Sequence, residues 1–268
     1  MTGRAPFTRF MRINMLLFIV LALSAGCDGG MDIGARPAQD PLVATEAYLQ
    51  LYQPGPMPRV FQTTRIFDRN GTLLTELWDE GDRRWVALDQ ISPHLRHATL
   101  ATEDASFYAN AGIDPVRIVG AAWQSFNAGQ VVSGASTITM QLARNLFLGA
   151  DQRYNQTMDR KILEAGVAQE LTRQFSKDEL LEMYLNLINY GALRYGPEAA
   201  ARAYFGKPAA DLTLAEASLL AGIPQQPANL DLFQNFEAAK RRQRIVLDLM
   251  VRHGYLTQVG ADAVFEQP

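Results

Sequence analysis

The chain has few of the residues that build disulfides, zinc sites and histidine-centred catalytic sites. Its 268 residues include one cysteine and three histidines. A single cysteine excludes an internal disulfide and a cysteine-based zinc cluster. His94, His97 and His253 are too scattered along the chain to predict a metal site, and histidine-centred catalysis is not favoured either. The chemistry is therefore expected to depend on other side chains.

Positive charge is also scarce. The net charge of −3 at pH 7 offers no strongly basic field, so nucleic acid is not an expected partner. No internal repeat occurs, and nothing resembles a phosphate-binding P-loop or a βαβ series. Apolar residues make up 48% of the chain, enough to bury a core in one large domain or in one domain with extensions.

The first 27 residues are typical of an export signal or membrane anchor. Three arginines precede the uncharged run Met15–Cys27, which as a helix would span about 20 Å, short of the roughly 30 Å core of a membrane. The run ends in Ser-Ala-Gly-Cys, similar to a bacterial lipobox with the usual leucine one place early. We expect Cys27 to be lipidated; an uncleaved anchor and a buried free cysteine are the alternatives. Either anchor places the body of the protein on the outer face of the bacterial cytoplasmic membrane.

Composition divides the rest of the chain into three parts. Residues 28–60, rich in Gly, Pro, Asp and Ala, predict a flexible tether. Residues 61–90 predict a small antiparallel sheet, with a type I′ hairpin turn at Asn70-Gly71 and a third strand at 83–88. Residues 91–268 predict a mainly α domain.

Local signals predict several helix ends within this domain. The first helix is expected to begin after Ser92 and to continue to about Ala109. Ser136 is expected to cap the next helix. Capping boxes open two later helices at Ser176 and Thr213, Gly206 ends a helix that begins at Pro197, and Gly254 follows the last predicted helix.

Two adjacent carboxylates, Glu103 and Asp104, raise the question of function. Neighbouring positions on a helix point about 100° apart, so the two side chains cannot share one environment. One interpretation is that both face water. The other is that one of them lies in a cleft, where desolvation raises the pKa of a carboxyl group and suits it to proton transfer.

Two further segments carry polar groups of complementary chemistry. Ser136 and Thr137 crowd a helix start that offers free N–H groups to an anion, and Arg144 follows two turns later. Arg160, Lys161 and Glu164 lie on successive turns of one helix, where Arg160 and Glu164 could equally form a surface salt bridge. Together these segments suggest a site that combines a carboxylate base with cations for an anionic leaving group.

Five motifs in order resemble those of the peptidoglycan glycosyltransferases, the transglycosylase domain of class A penicillin-binding proteins and of monofunctional transglycosylases (glycosyltransferase family 51). They are EDASFYANAG, GASTITMQLARN, RKILE, SKDELLEMYLN and RQRIVL, and they cover roughly residues 63–255. The resemblance implies a mainly α, partly lysozyme-like fold with two lobes, a head and a membrane-dipping jaw. The stretch 118–132 would belong to the jaw, with a plain core helix as the alternative.

The resemblance also implies a reaction and its residues. Lipid II would be polymerised into glycan strands by an inverting transfer that releases undecaprenyl pyrophosphate. By motif position Glu103 is the catalytic base and Glu164 the second acidic residue, which orients cations or a bound divalent metal, Mg²⁺ or Mn²⁺. The implied substrate-binding residues are Ser136, Thr137, Gln141, Arg144, Arg160, Lys161, Asn186 and Arg242. Asp104 would be structural. The implied partners are lipid II and the lipid-linked glycan, the membrane and other wall-synthesis proteins.

The chain departs from the family pattern at three positions near the site. Asn110 stands where a histidine is usual, Met140 replaces a glutamine and Arg144 a lysine. Arginine keeps the charge and binds phosphate in a bidentate manner. The other two departures favour an alternative function, a non-catalytic scaffold for wall synthesis. A lytic enzyme that cleaves finished glycan is a further alternative, although it has no use for the cations.

Nothing in the sequence supports a penicillin-binding half, because neither Ser-x-x-Lys nor Lys-Thr-Gly occurs. The sequence ends in FEQP where bifunctional relatives would continue toward a transpeptidase domain. A monofunctional enzyme, a truncated product and a fragment all fit this pattern.

Overall fold

The computed structural model describes residues 60–78, 80–128, 134–147 and 158–267. Cys27, the signal or anchor and the tether up to residue 59 lie outside the described residues. The strands are β1 (Thr64–Phe67), β2 (Leu73–Leu77), β3 (Asp82–Arg83) and β4 (Arg194–Tyr195). The α-helices of the described ranges are α1 (Pro93–Glu103), α2 (Pro115–Ala128), α3 (Ile138–Phe147), α4 (Met158–Gln174), α5 (Lys177–Leu187), α6 (Pro197–Phe205), α7 (Leu214–Gly222), α8 (Phe236–Arg252) and α9 (Gln258–Phe265). The predicted mainly α fold with a small antiparallel sheet is confirmed.

The predicted hairpin is present, but its turn differs from the prediction. Strands β1 and β2 pair in antiparallel fashion. Of Asn70 and Gly71, only Gly71 has a positive φ, 84°, so the type I′ turn is wrong. The carboxylate of Asp68 accepts hydrogen bonds from the backbone N–H groups of Asn70 and Thr72, both at 2.8 Å. An aspartate side chain that accepts from the backbone N–H groups of later residues stabilises a loop longer than a two-residue turn.

The third antiparallel strand predicted at 83–88 is also wrong. Strand β3 ends at Arg83 and pairs in parallel with β4, from a distant part of the chain. Beyond it, Asn186 takes the place of a strand partner: its Oδ1 accepts from the N–H of Val86 at 3.0 Å, and its Nδ2 donates to the carbonyl of Val86 at 2.9 Å. The backbone of this segment is thus satisfied by a side chain.

Helix α1 ends six residues earlier than predicted. Its last residue is Glu103, and Asp104 leaves the helical conformation with φ −159° and ψ 82°. The Asp104 carboxylate bonds to nearby groups in the loop that follows, which compete with continuation of the helix. Glu103 therefore lies at a helix end and not in its interior.

Most of the other predicted helix ends are confirmed. Both capping boxes form, at Ser176 and at Thr213. Helix α6 begins at Pro197 and ends before Gly206, which has the left-handed conformation. Helix α3, however, begins at Ile138, so Ser136 is not its cap. Helix α9, capped by Thr257, was not predicted.

Helix packing brings distant motifs together. Helix α1 packs against α7 and α8, and α3 packs against α4 and α5. The shared core includes side chains from the loop after α1 and from four helices, among them Phe107, Leu142, Tyr184, Leu220 and Val246. Burial of these side chains supplies the main stabilisation. It also brings the C-terminal end of α1 beside α3, α5 and α8.

Helix α2 covers the described part of the stretch predicted to form a jaw. Val116 is 82% exposed and Trp123 is 57% exposed, so these side chains do not fit the alternative of a core helix. Residues 129–132 of the predicted jaw lie outside the described residues. Within the described ranges, no helix is both long enough and apolar enough to cross a membrane.

Candidate active site

Glu103 lies at the end of α1 with its carboxylate turned toward α3. The side chain is half-buried, and its Oε2 accepts a hydrogen bond of 2.8 Å from Nε2 of Gln141 in the first turns of α3. Arg242 of α8 is close enough to interact with it electrostatically. A carboxylate that is held by one donor and has a free oxygen is suited to accept a proton from a substrate.

Arg242 supplies positive charge to this part of the site. Burial lowers the pKa of its guanidinium, and the negative charge of Glu103 acts in the opposite direction. An arginine stays charged in spite of such a shift. The helix α7 makes room for it at Gly222, where an added Cβ would lie 2.8 Å from Cγ of Arg242.

Asp104 is turned into the protein and holds the loop after α1. It is 1% exposed and accepts hydrogen bonds of 3.1 Å from Ser106 Oγ, from Asn110 Nδ2 and from the backbone N–H of Ile138. The last bond joins the loop to the start of α3. The geometry gives Asp104 an architectural part, while its neighbour Glu103 faces the site.

Asn110, which replaces the usual histidine, is fully used within the protein. Its Nδ2 donates to Asp104, and its Oδ1 accepts from the N–H of Gly112 at 3.0 Å and from Lys177 Nζ at 3.2 Å. Burial lowers the pKa of Lys177, and the charge of Asp104 opposes that shift. Asparagine therefore completes a local network at this position.

Met140, the other departure, is 4% exposed. A buried thioether leaves no unsatisfied polar group, so this departure costs the protein little.

Glu164 forms a second acidic centre on α4. It is 2% exposed, with Nε of Arg160 lying 3.3 Å from its Oε1. Burial raises the pKa of this carboxyl, while the charges of Arg144, Arg160 and Lys161 lower it. An ion pair on the surface would not be buried to this degree, so the surface salt bridge is not the better interpretation. The three cations lie within electrostatic range of one buried acid, and the four groups together carry a net positive charge.

The acids do not assemble into an obvious metal centre. The described residues hold no group of three or more His, Cys, Asp or Glu side chains with the spacing of metal ligands.

Two of the residues predicted to bind substrate have their polar groups bonded within the fold. Asn186 is fully buried, and its amide bonds the backbone of Val86 and the carbonyl of Glu182. Thr137 is also fully buried: its Oγ1 donates to the carbonyl of Gly112 at 2.6 Å and accepts from the N–H of Met140 at 3.1 Å, which caps α3. A part in substrate binding stays a prediction for both. Ser136 is half-buried and remains a candidate.

A cavity of about 390 Å³ adjoins Glu103, and the motif comparison does not predict several of its walls. Arg117 is one of them: it donates to the carbonyls of Glu103 at 2.8 Å and of Gly134 at 2.6 Å. Asp114 caps α2 by accepting from the N–H of Arg117. The Asp-Pro-x-Arg spacing indicates the cap, but no sequence signal places His253, the residue after α8, in the same wall.

The chain is similar in sequence to a family model and to several known proteins. The model of the family Transglycosylase matches residues 70–251. Penicillin-binding protein 1A of Aquifex aeolicus is 42% identical over 207 residues, which are 77% of this chain and 28% of that protein. Penicillin-binding protein 2D of Bacillus subtilis is 43% identical, covering 81% of this chain and 31% of that protein. Penicillin-binding protein 1A of Escherichia coli is 38% identical, covering 93% and 28%.

The chain therefore belongs to the transglycosylase family, whose members are peptidoglycan glycosyltransferases, and the resemblance drawn from the five motifs is confirmed. It spans between 28% and 31% of the length of these three relatives.

Proposed function

We propose that the chain polymerises lipid II into glycan strands by an inverting transfer that releases undecaprenyl pyrophosphate. The observation that carries the proposal is Glu103, a half-buried residue whose carboxylate is held by Gln141 at 2.8 Å and which is among the residues that line a cavity of about 390 Å³. Such a group can remove the proton from the acceptor's 4-hydroxyl as its oxygen attacks the anomeric carbon of the donor.

The cations account for the other half of the reaction. When the bond between the anomeric carbon and the pyrophosphate oxygen breaks, the electron pair leaves with the pyrophosphate and no proton is needed. Arg144, Arg160 and Lys161 lie around the buried Glu164 and would neutralise the growing charge. In this proposal Glu164 orients those cations. A bound Mg²⁺ or Mn²⁺ would add positive charge at the same place.

The site geometry also bears on the alternatives. The two departures that favour a non-catalytic scaffold are both accommodated: Asn110 completes a hydrogen-bond network, and Met140 is buried. A lytic enzyme would need an acid for a leaving sugar and would gain nothing from several cations. The balance of charges supports synthesis over cleavage.

We further propose that the protein acts at the outer face of the cytoplasmic membrane, where its lipid-linked substrates are held, and that α2 contacts the lipid. The exposed Val116 and Trp123 of α2 support this position, since aromatic and aliphatic side chains partition into the membrane interface. Other wall-synthesis proteins are the expected protein partners.

The test is polymerisation of purified lipid II in detergent, with and without Mg²⁺ or Mn²⁺, read as glycan strands on a gel. We expect polymer from the wild type and a loss of at least about 100-fold in Glu103→Gln, because general base catalysis contributes at least that much. Asp262→Asn, which changes an exposed acid of α9 in the same way, should retain activity.

The contrary outcomes are distinct. A folded wild type that makes no polymer under any of these conditions supports the scaffold. Release of fragments from purified cell wall, without polymerisation of lipid II, supports the lytic enzyme. Equal activity in Glu103→Gln and in the wild type would remove Glu103 as the base.

A further inference from the structure

Glu103 is the end of a chain of two hydrogen bonds that begins on α5. The hydroxyl of Tyr184 donates to Oε1 of Gln141 at 3.1 Å, and Nε2 of Gln141 donates to Oε2 of Glu103 at 2.8 Å. Tyr184 is fully buried in the core beside the site. The tyrosine thus reaches the carboxylate through the amide and does not touch it directly.

An amide side chain has a donor end and an acceptor end, and only one orientation of Gln141 offers N–H to Glu103. Burial raises the pKa of Tyr184 well above its usual value, and the negative charge of Glu103 adds to this effect. The hydroxyl therefore keeps its proton at every working pH. If the amide rotated, the Tyr184 oxygen could accept from Nε2, but the hydroxyl proton would lose Oε1, the acceptor that it has in this structure. The bond from Tyr184 therefore disfavours the rotated amide, because it would leave a buried donor without its acceptor.

We propose that Tyr184 is a positioning residue of the transfer reaction, which holds the Gln141 amide in the orientation that keeps Glu103 ready to accept a proton. An N–H donor stabilises a carboxylate relative to the carboxylic acid, whereas the rotated amide would accept a hydrogen bond from the acid. Without the tyrosine hydroxyl, the Gln141 amide can rotate, so that it either donates to the carboxylate of Glu103 or accepts from its carboxylic acid. This inference rests on the proposed function, since it assigns a further residue to the same site.

A second buried tyrosine lies near Glu103. Tyr190 is also fully buried and lies within electrostatic range of Glu103, and its hydroxyl has no hydrogen-bond partner among the described residues. It is therefore no substitute for the bond from Tyr184 to the amide. The charged or titratable groups near Glu103, Gln141 or the Tyr184 hydroxyl are Asp104, Asp114, Arg117, Arg144, Tyr190, Arg242 and His253.

The first test is the pH dependence of the initial polymerisation rate in Tyr184→Phe. We expect the acid limb of the profile to move to higher pH, so that the rate at the acid end falls roughly three- to tenfold, the worth of one hydrogen bond, and recovers at alkaline pH. The control is Tyr204→Phe, which removes the hydroxyl of a half-buried tyrosine. That hydroxyl donates to the backbone carbonyl of Tyr190 at 3.1 Å. Its acid limb should coincide with that of the wild type.

A double variant tests whether Tyr184 acts through the amide. If it does, Gln141→Leu moves the acid limb, and Tyr184→Phe combined with Gln141→Leu moves it no further. Additive shifts would overturn the proposal. If Tyr184→Phe does not fold, Gln141→Leu alone tests the role of the amide. An acid limb that coincides with that of the wild type would show that the Gln141 amide does not favour the carboxylate form of Glu103, and the proposal would fail.

A measurement without substrate separates this inference from the proposed function. In protein labelled with ¹³C at the glutamate carboxyl, the Glu103 signal is assigned by its loss in Glu103→Gln and followed against pH. We expect its midpoint to lie at higher pH in Tyr184→Phe than in the wild type and in Tyr204→Phe. Coincident midpoints in folded proteins overturn the role of Tyr184, whereas a wild type that makes no polymer overturns the proposed function alone.

Discussion

Two neighbouring acids, Glu103 and Asp104, have the same chemistry and opposite surroundings. Glu103 is half-buried beside a cavity, whereas Asp104 is 1% exposed and bonded to the loop and to α3. The separation follows from the end of α1 between them, which turns the second side chain inward. The sequence indicates that the two must differ, because adjacent helix positions diverge. The geometry decides which one faces the site.

Polar residues in a motif are harder to assign than acids. Ser136, Thr137 and Asn186 all carry hydrogen-bonding groups, yet the latter two are fully buried and bonded within the protein. A motif shows only that a residue type belongs at a position. Its direction depends on partners far along the chain, such as Val86, 100 residues from Asn186. The sequence alone gives no signal for such pairs.

The buried acid Glu164 leads to a prediction that couples stability and activity. Burial raises its pKa in the folded protein above the ordinary value of 4.5, so the folded state holds this proton more tightly than the unfolded chain does. The wild type therefore loses stability as the pH rises from about 4.5 through the folded pKa. Glu164→Gln should melt at a higher temperature than the wild type at pH 7, with the difference narrowing near pH 4.

The same variant should polymerise lipid II roughly 10- to 100-fold more slowly, by analogy with groups that orient metal ligands, whose removal costs about that much. Glu266→Gln, which changes an exposed acid near the last helix, is the control for both measurements. Thermal melts at several pH values and the gel assay provide the data. A Glu164→Gln variant that is less stable than the wild type at pH 7 would contradict the inference that burial of the ionised Glu164 destabilises the folded protein.

At the scale of the helix, ends that depend on neighbouring residues are well predicted. The capping boxes at Ser176 and Thr213 use groups three residues apart, so the sequence contains the whole interaction. The end of α1 is different, since Asp104 bonds to Ile138, 34 residues away. Strand β3 fails as a prediction for the same reason, because its partner β4 lies more than 100 residues further along the chain.

Two threonine caps allow a matched comparison. Thr137→Ala removes the cap of α3 and the bond to the carbonyl of Gly112, so we expect a loss of about 1–2 kcal/mol in stability. It should also slow polymerisation, because Gly112 belongs to the loop that follows Glu103. Thr213→Ala removes the cap of α7 and should cost about 1 kcal/mol with little change in rate.

Denaturant melts and initial rates measure the two effects separately. If Thr137→Ala and Thr213→Ala slow the reaction equally at the same residual stability, the hydrogen bond from Thr137 to Gly112 does not affect the rate of polymerisation.

At the scale of the whole molecule, the fold class and the order of the motifs are predictable because core helices repeat apolar residues at helical spacing. What covers the apolar face of a helix is less predictable. Helix α2 has the apolar content of a core helix, but Val116 and Trp123 are exposed. Sequence periodicity does not show whether protein or lipid covers an apolar face, since both favour the same side chains.

Exposed valines on two helices test the proposed membrane contact. Val116 is 82% exposed on α2, and Val259 is 79% exposed on α9. We expect Val116→Asp to reduce co-sedimentation with anionic lipid vesicles by about threefold or more, since a carboxylate in place of a valine opposes burial in the interface and is repelled by anionic lipid. Val259→Asp should bind as the wild type does.

Both variants should keep the thermal stability of the wild type, because both positions are exposed. A Val116→Asp variant that binds vesicles as well as Val259→Asp does would show that the apolar side of α2 is not the contact.

One glycine limits how the two acidic centres can move relative to each other. Gly112 has φ +90°, and a Cβ there would lie 2.4 Å from the carbonyl oxygen of Ala168 in α4. The backbone after Glu103 thus rests directly against the helix that carries Glu164, with no side chain between them to compress or rotate. If the protein opens and closes during the proposed polymerisation, this backbone contact must either persist or break entirely. We therefore expect a fixed distance between the loop and α4 at Gly112, with mobility in parts of the site further from this contact.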